Sequence, residues 1–470
     1  MILVGNVALD TGFNSTIPKM VFGTFKCNKI RKKQKRAYIM TACAIKEATE
    51  YVRKEFIDDP AGIPLDDLDF SSSGLFKNGQ SWKSYFKRLR EEDPVHYQKD
   101  SPFGPFWSIT KFKDIQFVDK NNELFSSEPS IVLGELNTDD IELDMFIAMD
   151  NPKHDTQRAA VQKVVQPTTL AALEPLIRER ISTILDSLPE GEAFNWVDKV
   201  SIELTGQMLA TLFGFPQEDR RLLTYWSDLG ASLPEITDGD GTPEVRNKAL
   251  GECFERFVAL WKERALLSQE ELEKNIDLIS MFLRTEETKD MLDRPHEYLG
   301  NILLLIIGGN DTTRNSLTGG VLAMHENPEA FELLKSDLSL IPNMVPEIIR
   351  WQTPLAHMRR IATQDVELGG KMIKKGDKVV MWYTSGNHDE TVIESPEKLI
   401  INRANARQHL AFGFGVHRCM GNRLAEMQLR VTWEEIMKRF SKLEVVEDPV
   451  YVKSNFVKGY EQLMVKVTRK

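Results

Sequence analysis

Apolar residues recur at helical spacing through most of the middle of the chain. The clearest stretches are 81–92, 152–165, 170–187, 196–213, 218–233, 243–267 and 272–283, and periodicity of this kind begins near residue 41. Alternation with a period of two is rarer. Residues 105–109, 366–373, 378–383 and 463–467 read as strands, with Gly369-Gly370 and Lys375-Gly376-Asp377 as turns. The pattern predicts a mainly α fold with a smaller β region, its strands few and late. Residues 234–243, rich in Asp, Gly and Thr, predict a mobile surface loop.

One helical stretch interrupts its own pattern. Residues 299–324 are largely apolar, yet their interior holds Gly308-Gly309-Asn310-Asp311-Thr312-Thr313. Two glycines weaken a helix, and the polar side chains after them compete for its hydrogen-bond ladder, which predicts a local bulge where water can enter. The same residues also suit a helix boundary, with Asp311 as the N-cap of a second helix.

The ends of the chain lack membrane signals. Residues 1–9 are apolar but stop at Asp10, far short of the ~20 apolar residues of a spanning helix. The first charges follow this stretch and no small-residue cleavage site is present, so neither a transmembrane anchor nor a secretory signal is expected. Residues 1–40 carry Gly, Thr and Asn and then a basic cluster from Lys29 to Arg36, which predicts a poorly ordered extension ahead of a catalytic domain over 41–470. Met20 and Met40 are alternative translation starts.

Composition narrows the picture further. The 470 residues include 60 basic and 70 acidic side chains, a formal charge of -10, which argues against nucleic acid as a general partner. The four cysteines, Cys27, Cys43, Cys253 and Cys419, are widely spaced without a C-x-x-C pair. Neither a disulfide framework nor a zinc ribbon follows, and a reducing cytoplasm is the expected compartment.

The chemistry concentrates at Cys419. It lies in Phe412-Gly413-Phe414-Gly415-Val416-His417-Arg418-Cys419-Met420-Gly421, a glycine-framed loop running into a helical pattern over 422–440. A cysteine opening a helix faces unpaired N–H groups and the positive end of the helix dipole, which favours thiolate over thiol. Gly413, Gly415 and Gly421 permit unusual backbone angles and let a flat ligand approach, while His417 and Arg418 suit an acidic cofactor edge or partner. Read alone, the loop also fits a buried structural cysteine. Two further pairs are weaker on their own terms. Glu347 and Arg350 lie one turn apart, as do His154 and Arg158, and both spacings are common on solvated helix faces.

The cysteine loop matches the haem-thiolate signature FGxGxHxCxG at every fixed position, and so resembles the cytochrome P-450 superfamily. The resemblance covers about 41–470 and implies that family's fold, haem b as cofactor, and Cys419 as the proximal iron ligand. A thiolate ligand pushes electron density onto iron and favours O–O cleavage. It further implies that His417, His154, Arg158 and Arg360 hold the haem, and that Asp311 and Thr312 are the acid and alcohol that deliver protons for O–O cleavage. Glu347 and Arg350 would join Arg403 in a buried network, although Leu399 stands where the family has an aromatic. By position, the substrate pocket would be lined by Ile141, Met145, Phe146, Leu304, Ile307, Leu355, Ala356, Met358 and Phe456 or Val457. All are apolar and suit an aliphatic substrate.

The strings 308–316, 357–360 and 416–427 resemble the soluble alkane terminal-hydroxylase branch. That implies insertion of one oxygen of O2 into the terminal C–H of a medium-chain n-alkane or a related alcohol or fatty acid. Electrons would come from a ferredoxin served by an NAD(P)H-dependent reductase, docking at Arg418 and Arg423, with Arg359 facing the partner surface. Competing expectations are a peroxide-driven peroxygenase, a hydroxylase of another hydrophobic substrate such as a terpenoid, and a non-enzymatic haem sensor.

Overall fold

Proline and capping residues set most of the helix starts. Pro167, Pro243, Pro295 and Pro328 open helices at their first turn, where a missing N–H costs nothing. The computed structural model describes residues 56–135, 141–232 and 242–470. The expected extension 1–40, Cys27, Cys43 and almost all of the expected 234–243 loop lie outside the described residues.

The helices among the described residues are α1 (Ser81–Glu92), α2 (Phe112–Lys120), α3 (Lys153–Gln162), α4 (Pro167–Asp186), α5 (Ile202–Phe213), α6 (Arg220–Ala231) and α7 (Pro243–Ala265). They continue with α8 (Gln269–Lys274), α9 (Leu278–Arg284), α10 (Pro295–Glu326), α11 (Pro328–Ser336), α12 (Ile341–Gln352), α13 (Tyr383–Gly386) and α14 (Asn422–Arg439). The strands are β1 (Val95–Gln98), β2 (Phe106–Ile109), β3 (Phe125–Ser126), β4 (Phe194–Asn195), β5 (Met358–Ala362) and β6 (Val366–Leu368). After them come β7 (Lys371–Ile373), β8 (Lys378–Met381), β9 (Phe440–Val445), β10 (Val450–Tyr451), β11 (Tyr460–Gln462) and β12 (Met464–Arg469). Helix dominates, with a smaller β region. Among these helices none is long and apolar enough to cross a membrane.

The sheet is larger and begins earlier than the alternation suggested. Five strands pair in the order β1-β2-β8-β5-β3, parallel only between β2 and β8. Three of them are short and flanked by polar residues, so they make little periodic signal. A second sheet, β4-β12-β9, lies near the C-terminus, with hairpins β6–β7 and β10–β11. The stretch 272–283 is two helices, because Asp277 caps α9 by accepting from the Ser280 N–H at 2.9 Å and thereby ends any continuous helix.

Helix α10 runs through the middle of the helical part, buried along most of its length. It is 32 residues long, about 48 Å, and packs against α5, α6, α12 and α14. Gly319 makes one of these approaches close: a Cβ there would meet Gln352 Oε1 of α12 at 2.2 Å. The helix is continuous through residues 308–313. Asp311 is therefore not an N-cap, and the ladder meets a milder perturbation than a bulge, described below.

Candidate active site

The loop 411–421 faces the middle of α10 across a cavity of about 270 Å³. Its shape comes from two glycines with positive φ, Gly413 at 64° and Gly415 at 67°. Space is short as well, since a Cβ on Gly415 would meet the Asp119 carbonyl oxygen at 2.3 Å. Gly421 differs from expectation: its φ is -83°, and an added Cβ would meet nothing within 4 Å. The Cys419 N–H donates to the Phe412 carbonyl at 2.8 Å, closing the loop with the side chain lining the cavity.

The Cys419 thiol is pushed up rather than down. Burial raises its pKa, against the Gly421 and Asn422 N–H groups at the start of α14 and the charges of Arg158 and Arg418. Cys419 is itself accessible from the cavity, and coordination to a metal there would favour its thiolate form.

Charged and imidazole side chains gather at one edge of the cavity. Arg158, Arg360 and His417 all line it. Arg158 donates to the Arg418 carbonyl at 2.5 Å and Arg360 to Asp119 Oδ1 at 3.0 Å. His154 is buried behind them, its ring 4.1 Å from that of His417. Two nitrogens here have no partner, His154 Nε2 and His417 Nδ1. Burial holds both imidazoles below their ordinary pKa, with Arg360 adding to the effect at His417.

Asp119 was not visible as a site residue. Its carboxylate is buried and accepts from Arg360, from the Tyr383 hydroxyl at 2.7 Å and from the Phe414 N–H at 2.8 Å. It thus ties the cysteine loop, α2, β5 and α13 together. Burial raises its pKa even with Arg360 beside it. The available signal was an acid on the stripe of α2 otherwise buried through Phe112, Ile115 and Val118.

On the opposite wall, Thr312 donates its hydroxyl to the Gly308 carbonyl at 2.6 Å, and both residues line the cavity. A side-chain hydroxyl therefore shares the ladder at this turn. Asp311 lies off the cavity lining. Its Oδ1 is 2.9 Å from Arg314 Nη2 and accepts from Asn310 at 3.0 Å, and Arg314 Nη2 also reaches Asp228 Oδ1 at 3.0 Å. Burial raises the Asp311 carboxyl to about 6, opposed by Arg314 and reinforced by Asp228.

Glu347 and Arg350 are buried rather than solvated, paired at 2.8 and 2.9 Å. Arg403 donates to Glu347 Oε2 at 3.0 Å, and Leu399 is packed in the core nearby. Of the expected pocket residues, Met145, Phe146, Leu304, Ile307, Leu355, Met358 and Phe456 line the cavity. Ile141 and Ala356 do not. Ile141 packs on the cluster around Phe257 and Tyr298, and Ala356 is fully buried, its N–H donating to the Phe456 carbonyl at 2.8 Å. Arg359 is also buried, with Glu135 Oε1 2.7 Å from its Nη1, so it does not present a partner surface. Ile131 and Val132 line the cavity without having been expected to.

A helical protein with a cysteine loop facing a polar stretch of a long, continuous central helix defines a class, the cysteine-ligated haem proteins. The family model described as Cytochrome P450 matches residues 242–467. Linalool 8-monooxygenase of Pseudomonas putida is 32% identical over 392 residues, 81% of this chain and 94% of the relative. Methyl-branched lipid omega-hydroxylase of Mycobacterium bovis is 29% identical over 425 residues, 86% of this chain and 96% of the relative. Among solved structures, cytochrome P450-153 from Novosphingobium aromaticivorans superimposes with a TM-score of 0.77 at 44% identity, covering 85% of this chain and 99% of that one. The chain belongs to the cytochrome P450 family, whose members bind haem b through a cysteine thiolate.

The residues present fit that cofactor. The unpartnered His154 Nε2 and His417 Nδ1, with two guanidinium groups at the same edge, match the two carboxylates of a haem. Gly413 and Gly421 line the cavity without side chains, leaving room for its flat face, and Cys419 lines the cavity opposite Thr312.

Proposed function

We propose that the chain hydroxylates the terminal carbon of medium-chain n-alkanes or related alcohols and fatty acids, as a P450 monooxygenase supplied with electrons by a ferredoxin. The observation that carries this is the division of the cavity. Its ionisable side chains, Arg158, Arg360 and His417, gather beside the cysteine loop, while Leu304, Ile307, Leu355, Met358 and Phe456 offer a substrate only apolar contact. Such a wall holds a chain by burial, ~0.8 kcal/mol per CH2, and offers it no charged anchor.

Haem bound through Cys419 would supply O2 activation, with thiolate donation favouring O–O cleavage. Arg158, Arg360, His154 and His417 would hold its acidic edge. Thr312 would present a hydroxyl at the cavity, and Asp311, at about 6, would exchange protons near neutral pH through water. Primary C–H bonds are stronger than secondary ones, so attack at a chain end depends on positioning by the wall.

The omega-hydroxylase relative supports attack at a chain end, and the linalool relative keeps a terpenoid as the second reading. Arg418 and Arg423 are exposed near the cysteine loop, where an acidic ferredoxin would find complementary charge. The test is product analysis from n-octane and from linalool, given ferredoxin, reductase and NADH, on protein with a thiolate-type CO difference spectrum. The expected main product is 1-octanol. Exclusively internal alcohols, or turnover of linalool alone, would overturn the alkane reading.

A further inference from the structure

Strand β5 and His357 just before it place successive side chains on opposite sides, and one side has no role in the chemistry above. Met358 and Arg360 line the cavity, whereas His357 and Arg359 are 0% and 1% exposed and lie outside its lining. We propose that His357, assisted by Arg359, is a positioning residue that joins three separate segments of the substrate wall and thereby sets where along a substrate oxidation occurs.

The three segments meet at one imidazole. His357 Nε2 accepts from the Leu133 N–H at 3.1 Å, and Nδ1 lies 3.1 Å from the Asn455 carbonyl oxygen. A backbone N–H needs an acceptor and a carbonyl needs a donor, so the two partners fix one neutral tautomer with the proton on Nδ1. The ring packs edge-on to Phe456, 5.4 Å between centroids, and to Trp382 at 4.9 Å. Each tied segment brings side chains to the cavity: Ile131 and Val132, Leu355 and Met358, and Phe456.

Arg359 holds the first segment from the other side. Its N–H donates to the Ile131 carbonyl at 2.7 Å, and its Nη1 donates to the Leu133 carbonyl at 3.3 Å and to Glu135 at 2.7 Å. Leu133 is thus held at its N–H by His357 and at its carbonyl by Arg359. Burial keeps the imidazole far below its ordinary pKa, at about 3, so the acceptor nitrogen persists across the working pH range. A wall held at this spacing can resolve neighbouring carbons of a substrate, because ~1 Å of misplacement is enough to change rates by a large factor.

The test compares haem-bound wild type, His357→Phe, His357→Gln and Arg359→Met, each with its CO difference spectrum as a check of assembly. In His357→Phe the amides of 131–134 should exchange with deuterium roughly tenfold faster, as expected for the loss of protecting hydrogen bonds. The ratio of terminal to internal alcohols from n-octane should fall severalfold at similar NADH consumption. Gln can donate to Asn455 and accept from Leu133, so His357→Gln should recover both readouts. Wild-type exchange and product ratio in His357→Phe, or a Gln variant no better than Phe, overturns the proposal. If His357→Phe fails to assemble, Arg359→Met decides by the exchange of the same segment. The alkane part rests on the proposed function: octane inert in wild type would sink that reading, while the exchange comparison would still decide the clamp.

Discussion

Glu347 and Asp311 are both buried acids on helices, each with an arginine three residues later, and the two pairs are built to opposite ends. Glu347 accepts from Arg350 twice, from Arg403 and from the Ile400 N–H, while Arg350 spends its other donors on the carbonyls of Asn387, Pro396 and Lys398. That cluster is closed. Asp311 shares Arg314 with Asp228, whose side chain is 51% exposed. This second cluster opens toward solvent and holds its acid at about 6. Identical spacing therefore yields a joint whose arginine has every donor engaged in one place, and in the other an arginine shared with a half-exposed acid. What differs is the set of partners around each pair, not the spacing of the pair itself.

The widest separation between the two pairs should appear in stability. Glu347→Gln removes the charge that buried Arg350 and partly buried Arg403 share, and breaking such a cluster from one side costs ~3–5 kcal/mol. Chemical unfolding of the haem-bound variant should show that loss, with a weaker thiolate-type CO band as the cysteine loop loosens. Asp311→Asn should cost much less, because Arg314 keeps Asp228. Equal losses for both variants would erase the distinction between closed and open clusters.

The next effect separates stability from chemistry on the same helix. Thr312→Ala removes one hydroxyl bonded to Gly308 and leaves the burial of α10 unchanged, so assembly should be nearly normal. Product formed per NADH should fall about tenfold or more as reduced oxygen leaves as peroxide, because a positioned proton donor is lost while water can still reach the site. A peroxide-driven enzyme would lose little from this change, so unchanged yield from peroxide and wild-type coupling would favour the peroxygenase alternative.

Much of this molecule was legible before any coordinates. The helical stretches 81–92, 243–267 and 422–440 lie within two residues of α1, α7 and α14, because their apolar periodicity is uninterrupted and their ends carry stop signals. The cysteine loop announced itself through glycines at two positions of positive φ. Asp119 carries no such signal: its partners Arg360, Tyr383 and Phe414 are more than 240 residues away in sequence, and the short pattern of α2 is weak. Ile141 and Ala356 were misplaced for a related reason, since an apolar residue beside a pocket and one facing it look alike in sequence. Arg359 shows the converse: a charged residue type that usually lies at the surface is 1% exposed here.

The finest test addresses the opening of the Asp311 cluster itself. Burial raises this carboxyl above its ordinary value and Asp228 raises it further, so removing the Asp228 charge must move it down. Product formation in wild type should therefore carry a titration near pH 6, shifted to lower pH in Asp228→Asn and absent in Asp311→Asn. The stability signs follow from the same shift. A carboxyl whose folded-state pKa is raised contributes stability at low pH that is lost as pH rises through about 6, so Asp311→Asn should compare more favourably with wild type at pH 8 than at pH 5. A profile in Asp228→Asn that does not move, or moves up, would mean that Arg314 insulates the two acids instead of linking them, and the cluster would then be as closed as the one around Glu347.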